Sequence, residues 1–195
     1  MQKLLVATGN SHKTEEIRAM LGAGYEVSDL KLHPKLPVVD ETGTTFLENA
    51  TLKAVEISQQ VPGLVLSDDS GLEVDALGGD PGVYSSRYSG EDGNDAANNA
   101  KLLRELDGVE ARTARFRCVI VLAENGAVLA YFDGAVEGRM IHELQGQGGF
   151  GYDPLFVPDG YEDTFAELGE EIKNGLSHRA RAMDKVVAWL DREND

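Results

Sequence analysis

Residues 66–72 read LSDDSGL and complete an apolar run that begins at Leu64. Why a chain should put two carboxylates, a serine and a glycine there is the question on which the fold reading turns. The flanking segments GLVLS and GLEVDAL each read as strands, so the pattern predicts a strand, a turn at Asp68-Asp69-Ser70, and a second strand. Ligands bind at strand ends in α/β sheets, and side chains alternate along an extended backbone. Asp68 and Asp69 should therefore point different ways, one holding structure and the other facing a cleft. A hard carboxylate there suits Mg²⁺, which commonly takes one or two protein carboxylates and completes its shell with water and phosphates. On this stretch alone an acidic turn whose Asp side chains cap backbone amides is an equal reading.

Outward from this stretch, the elements alternate. KLLVAT is a short strand, GNSH a turn, and Lys13 to Leu21 a helix with Ile17, Met20 and Leu21 on one side. A second helix is predicted over about Thr45 to Val61, where Thr45 and Glu48 have capping-box spacing and Leu47, Ala50, Ala54 and Ile57 form a stripe. A third is expected near Asp95 to Leu106. RFRCVIVLAE, AVLAYFDGAVEGRMI and DPLFVP then read as consecutive strands, the middle segment turning at Asp133-Gly134. A last helix begins after Ser177, with Ala182, Val186, Trp189 and Leu190 inward. βα units followed by a run of strands imply an α/β protein with a mixed sheet. No repeat or Pro/Ser-rich linker interrupts the 195 residues, so one domain is expected over 1–195.

Composition narrows the function classes. A formal net charge of -16 argues against a general nucleic-acid or acidic-membrane binder, since such partners need basic surfaces. An anionic substrate would then need local positive charge or a metal. The opening apolar run is too short for a secretion signal, and no later run approaches a membrane span, so a cytoplasmic location is expected. The one cysteine, Cys118, lies in the apolar run CVIVLA and reads as a buried small hydrophobe.

Four further clusters could carry chemistry. Thr8 to Lys13, TGNSHK, joins a strand to a helix, where unpaired amides and the helix dipole make a phosphate cradle to which Lys13 adds charge. An ordinary βα turn with a solvated lysine is the competing reading. Asp40 to Gly43, DETG, precedes a helix on which Asn49 and Lys53 share a face. Gly148 to Pro154, GGFGYDP, allows close backbone approach to a planar ring, although a tight turn with Phe150 in the core fits equally. In KNGLSHRARAM, Ser177 is a good N-cap, so His178 and Arg179 stand at a helix start where the dipole disfavours cations. Something anionic, or a polar ligand, should offset them.

TGNSHKTEEI, ETGTTFLENATLKA, LSDDSGLEVDALGGDPGVYSSRYSGED, GGFGYDPLF and LSHRARAM occur in the order and spacing of the inosine triphosphate pyrophosphatases, also called dITP/XTP pyrophosphatases. The resemblance runs from Leu4 to about Leu190. It implies an α/β fold with an elongated mixed β-sheet, flanking helices and two lobes around a central substrate cleft, usually as a homodimer. It also implies Mg²⁺-dependent cleavage of ITP, dITP or XTP between the α- and β-phosphates, giving the monophosphate and pyrophosphate and so cleansing the nucleotide pool. By the same resemblance Asp69 is general base and metal ligand, with Ser70 contacting substrate beside it. Thr8, Gly9, Asn10, Ser11, His12 and Lys13 form the phosphate-binding turn. Glu41 is the second metal carboxylate, with Asp40 as the alternative, and Lys53 faces the phosphates. Phe150, Gly151, Tyr152 and Asp153 form the base pocket, and Lys173, His178 and Arg179 complete the substrate site.

On this reading Lys13, Lys53, Lys173 and Arg179, with Mg²⁺, cancel the triphosphate's charge. A hypoxanthine or xanthine ring presents an acceptor oxygen where adenine presents an amino donor. Buried donors therefore favour the former, and one left facing an amino group would cost about 1–3 kcal/mol. The related Maf-like pyrophosphatases, which act on other nucleotides, and a nucleotide-binding module without turnover are the competing readings; FGYDP and SHR argue against the first.

Overall fold

The computed structural model describes residues 2–194. Among these residues six strands and five α-helices follow one another, alternating as far as β4: β1 (Gln2–Val6), α1 (Ser11–Leu21), β2 (Tyr25–Asp29), α2 (Phe46–Ser58), β3 (Leu64–Val74), α3 (Asp95–Glu105), β4 (Thr113–Glu124), β5 (Ala127–Met140), β6 (Phe156–Pro158), α4 (Phe165–Leu176) and α5 (His178–Asn194). The sheet order is β2-β1-β3-β4-β5-β6. β1 pairs parallel with both β2 and β3, whereas β5 and β6 are antiparallel. The fold is thus the expected mixed α/β sheet with flanking helices.

Two strand readings need correction. β3 runs unbroken from Leu64 to Val74, so Asp68 and Asp69 stand in mid-strand and there is no DDS turn. Burial explains why: every residue from Leu64 to Asp69 is buried, and the Ser67 hydroxyl donates to the Ala50 carbonyl of α2. A turn would forfeit ladder bonds that no water could replace. β5 likewise passes straight through Asp133-Gly134, because inward and outward residues keep alternating from Gly134 to Met140. The chain reverses instead at Asn125-Gly126, both with positive φ, the backbone that Asn-Gly supplies at a two-residue hairpin turn. β2 and α4 had no counterpart in the sequence reading. α4 is broken at Gly169, whose φ of 80° is non-helical, and this interrupts the periodic signal.

The chain forms two compact units. The first comprises the residues up to Asp69, Cys118–Gly134 and the segment from Arg179. Leu4, Val6, Ile17, Leu66, Cys118, Ile120, Leu122, Met183 and Val186 fill its main core. Each fully buried Leu, Ile or Val contributes about 1.5–3 kcal/mol. α2 starts with the expected capping box: the Thr45 hydroxyl accepts from Glu48 N, and the Glu48 carboxylate accepts from Thr45 N. The second unit comprises Ser70–Arg117 and Ala135–His178. Leu72, Val74, Leu102, Leu106, Phe116, Phe156 and Phe165 fill its core. Among the described residues no helix is long and apolar enough to cross a membrane.

Candidate active site

The two adjacent aspartates diverge as their alternation requires. Asp68 is fully buried, with one carboxylate oxygen on the Lys13 ammonium. Its other oxygen accepts from Arg179 Nε at 3.1 Å and from Cys118 Sγ at 3.0 Å. A second arm of the Arg179 guanidinium meets Glu16 of α1. Burial raises the Asp68 pKa, but the guanidinium, the ammonium and the thiol together outweigh it and hold the group well below the usual carboxylate range. Asp68 is therefore a permanently charged anchor. Burial, then the neighbouring Asp68 charge, pushes the Cys118 thiol upward, so it stays a neutral donor. Cys118 is buried, as the sequence reading expects, and it also serves Asp68 as a donor.

Asp69 has the opposite character. It is 5% exposed and its Oδ1 lies 3.6 Å from Lys53 Nζ. Oδ2 is buried and, among the described residues, accepts no hydrogen bond. Burial pushes its pKa up to about 6, although Lys53 and Lys13 pull it down. The result is a carboxylate that is ionised at neutral pH yet basic enough to take a proton.

Lys53, on α2, ties this group together. Its ammonium donates to Glu41 Oε1 at 2.9 Å and to the Asp68 carbonyl at 3.0 Å. Burial lowers its pKa, but Asp69 and Glu41 outweigh that and raise it, so it remains charged. Glu41 reaches this position because the loop before α2 packs closely. Gly43 N donates to Asn49 Oδ1 at 2.8 Å, and a Cβ at Gly43 would lie 2.6 Å from Glu48 Cβ. Of the two candidates in DETG, the geometry thus brings Glu41 to Lys53.

The Thr8 to Lys13 turn is also ordered from within. Thr8 Oγ1 accepts from Asn10 N, and Asn10 Oδ1 caps His12 N at 3.0 Å and Lys13 N at 3.4 Å. Two of the amides that sequence reasoning offers to a phosphate are therefore held by Asn10. Lys31, which that reasoning missed, donates to Ser11 Oγ at 2.6 Å and adds a cation at the turn. Gly9 would tolerate a Cβ, with no atom within 4 Å.

In the second unit the predicted residues form another group. Asp153 Oδ2 accepts from Phe150 N at 3.0 Å and from Lys173 Nζ at 2.7 Å, with both charged side chains 4% exposed. The same ammonium sits 4.6 Å from the Phe150 ring centroid, a cation–π contact. His178, 5% exposed, stacks on Phe116 with ring centroids 5.0 Å apart. Tyr152 is buried and donates to the Ser85 carbonyl at 2.8 Å, which makes it an anchor of the loop. Ser70 is half-buried on β3. A cavity of about 360 Å³ lies beside Phe150, with Asp95, Asn99, Gly148, Gly151 and Pro154 also in its wall.

Gly149 is the tightest point of this loop. Its φ is +71°, and an added Cβ would lie 2.1 Å from Asp153 Oδ2. Gly149→Ala should therefore displace the carboxylate that holds Phe150 N and Lys173, destabilising the protein by about 1–3 kcal/mol. Urea unfolding of the two proteins checks this, and an unchanged midpoint would contradict the packing described.

Residues 4–189 match the Ham1 family, and the chain belongs to it. It is 49% identical over 193 residues to a dITP/XTP pyrophosphatase of Desulforamulus reducens, covering 97% of this chain and 96% of that one. A dITP/XTP pyrophosphatase of Geobacillus kaustophilus is 50% identical over 189 residues, covering 95% and 93%. The Staphylococcus aureus Ham1 protein superposes with a TM-score of 0.88 at 38% identity, covering 98% of this chain and all of that one.

Proposed function

We propose that this chain is a nucleoside triphosphate pyrophosphohydrolase acting on deaminated or oxidised purines, ITP, dITP and XTP, and releasing the monophosphate and pyrophosphate. The observation that carries the reading is Asp69: a buried carboxylate with an unpartnered oxygen, a pKa near 6 and an ammonium beside it. Such a group takes a proton from a water attacking a phosphoanhydride, a role worth about 10²–10⁴ in rate. Lys53 and Lys13 supply fixed positive charge for the phosphates. Arg179 acts through Asp68, which it holds in place, while Thr8 to Lys13 present the turn to the phosphate chain.

The residues also fit Mg²⁺. Asp69, whose Oδ1 lies near Lys53 and whose Oδ2 has no hydrogen-bond partner among the described residues, and Glu41, which also meets Lys53, are hard oxygen donors, so these two would hold the ion, with substrate phosphates supplying further oxygens. Bound Mg²⁺ would neutralise phosphate charge and polarise the bond to be cut.

Base recognition belongs to the second unit. Phe150 offers a ring for stacking, Lys173 and His178 are buried beside aromatic rings, and their N–H groups suit a purine carbonyl oxygen better than an amino group. The family resemblance further leads to a homodimer in the cytoplasm. Exposed Val128, Leu129 and Tyr131 of β5 provide apolar surface of the kind a second copy covers.

His178→Ala tests the base assignment. It should reduce the preference for ITP over ATP in kcat/KM by about tenfold, the effect of one buried donor facing the wrong group. An unchanged ratio would move base selection to other residues.

A further inference from the structure

Two side chains of α3 grip one residue of the loop that carries Phe150, at both of its peptide groups. Asp95 Oδ2 accepts from Gly151 N at 2.7 Å, and Asn99 Nδ2 donates to Gly151 O at 2.9 Å. Asp95 and Asn99 are one helical turn apart, so they share a face of α3 and reach the donor and acceptor of a single residue. The flanking positions are fixed as well: Phe150 N on Asp153 and the Tyr152 hydroxyl on Ser85. Both α3 residues also line the cavity beside Phe150.

The choice of Asn99 is costly for packing alone. The residue is 5% exposed, and its Oδ1 is buried without a hydrogen-bond partner among the described residues. Leucine would fill much the same space without stranding an acceptor. A local rule broken in this way, in exchange for one bond to the loop, is what a working site displays.

We propose that Asp95 and Asn99 are positioning residues for base recognition, holding Gly151 by both its N–H and its C=O so that the Phe150 ring is preset to stack on the purine. The proposal rests on the base-pocket reading above. Presetting the ring lowers the ordering cost of binding and leaves the phosphate chemistry untouched. The consequence is a split between KM and kcat.

The test compares Asp95→Ala, Asn99→Leu and Phe150→Ala with the wild-type enzyme, using ITP and ATP as substrates and inorganic pyrophosphate as a base-free inhibitor. Each α3 variant should raise KM for ITP about fivefold to tenfold, the factor a lost hydrogen bond gives. The expected kcat stays within about twofold, because the proton-accepting group is elsewhere. Inhibition by pyrophosphate should be unchanged, and Asp95→Asn, which keeps an acceptor oxygen, should restore most of the affinity. Equal weakening of ITP and pyrophosphate, or a fall in kcat alone, would mean a merely structural role and overturn the proposal. A raised KM in Phe150→Ala with wild-type KM in both α3 variants would also overturn it while sparing the base pocket. An unchanged KM in Phe150→Ala would remove the base-pocket reading and the proposal with it.

Discussion

Asp68→Ala is expected to destabilise the fold by about 3–5 kcal/mol, the cost of removing one partner from a buried ion network. The Asp68 carboxylate is fully buried and joins Lys13, Arg179 and Cys118. Without it the Arg179 guanidinium, 1% exposed, keeps Glu16 but loses the Asp68 carboxylate. The pH dependence has a definite sign. The native pKa of Asp68 lies well below the unfolded value, so its contribution is complete above about pH 4 and fades on acidification. Wild-type and variant unfolding curves in urea should differ most at neutral pH and converge in acid. A difference under about 1 kcal/mol at pH 7 would show that the network is not what holds these three segments.

Asp69→Asn should have the opposite signature. Turnover should fall by about 10²–10⁴, since an amide cannot accept the proton, while the protein becomes more stable at neutral pH. The Asp69 pKa is about 6 in the folded chain against about 3.9 unfolded. Its contribution to stability is therefore best in acid and is lost as pH rises from about 4 through 6. Above pH 6 the buried charge costs about 2–3 kcal/mol, which asparagine removes. Metal-free unfolding at pH 4 and pH 8 reads this directly: a stabilisation confined to the higher pH is expected. Equal stability at both, together with retained activity, would mean that Asp69 is not the poised base.

These neighbours also mark how far sequence reasoning reaches. Alternation along a strand already implied that Asp68 and Asp69 diverge, one structural and one functional. It could not say which, because the deciding partners come from afar: Arg179 lies 111 positions from Asp68. The Thr45–Glu48 box and the start of α5 at His178 were legible because capping is local chemistry. The strand breaks at 68–70 and 133–134 were misread because Asp, Ser and Gly signal turns only where the backbone is free to leave the ladder. Burial on β3 and sustained alternation on β5 override that preference.

The cations at the start of α5 raise the question of what offsets them, and for Arg179 it is Glu16 and Asp68 from within the chain. His178 is accommodated differently, by stacking on Phe116. The grip of Asp95 and Asn99 on Gly151 left no sequence signal at all. It joins residues 56 and 52 positions apart through ordinary helix and glycine positions.

The central claim is tested most directly by measuring pyrophosphate and orthophosphate separately, as released from ITP, dITP, XTP, GTP, ATP and UTP with and without Mg²⁺. The account predicts pyrophosphate, chiefly from ITP, dITP and XTP, and only with the metal. Orthophosphate as the first product, or equal use of ATP and UTP, would contradict it.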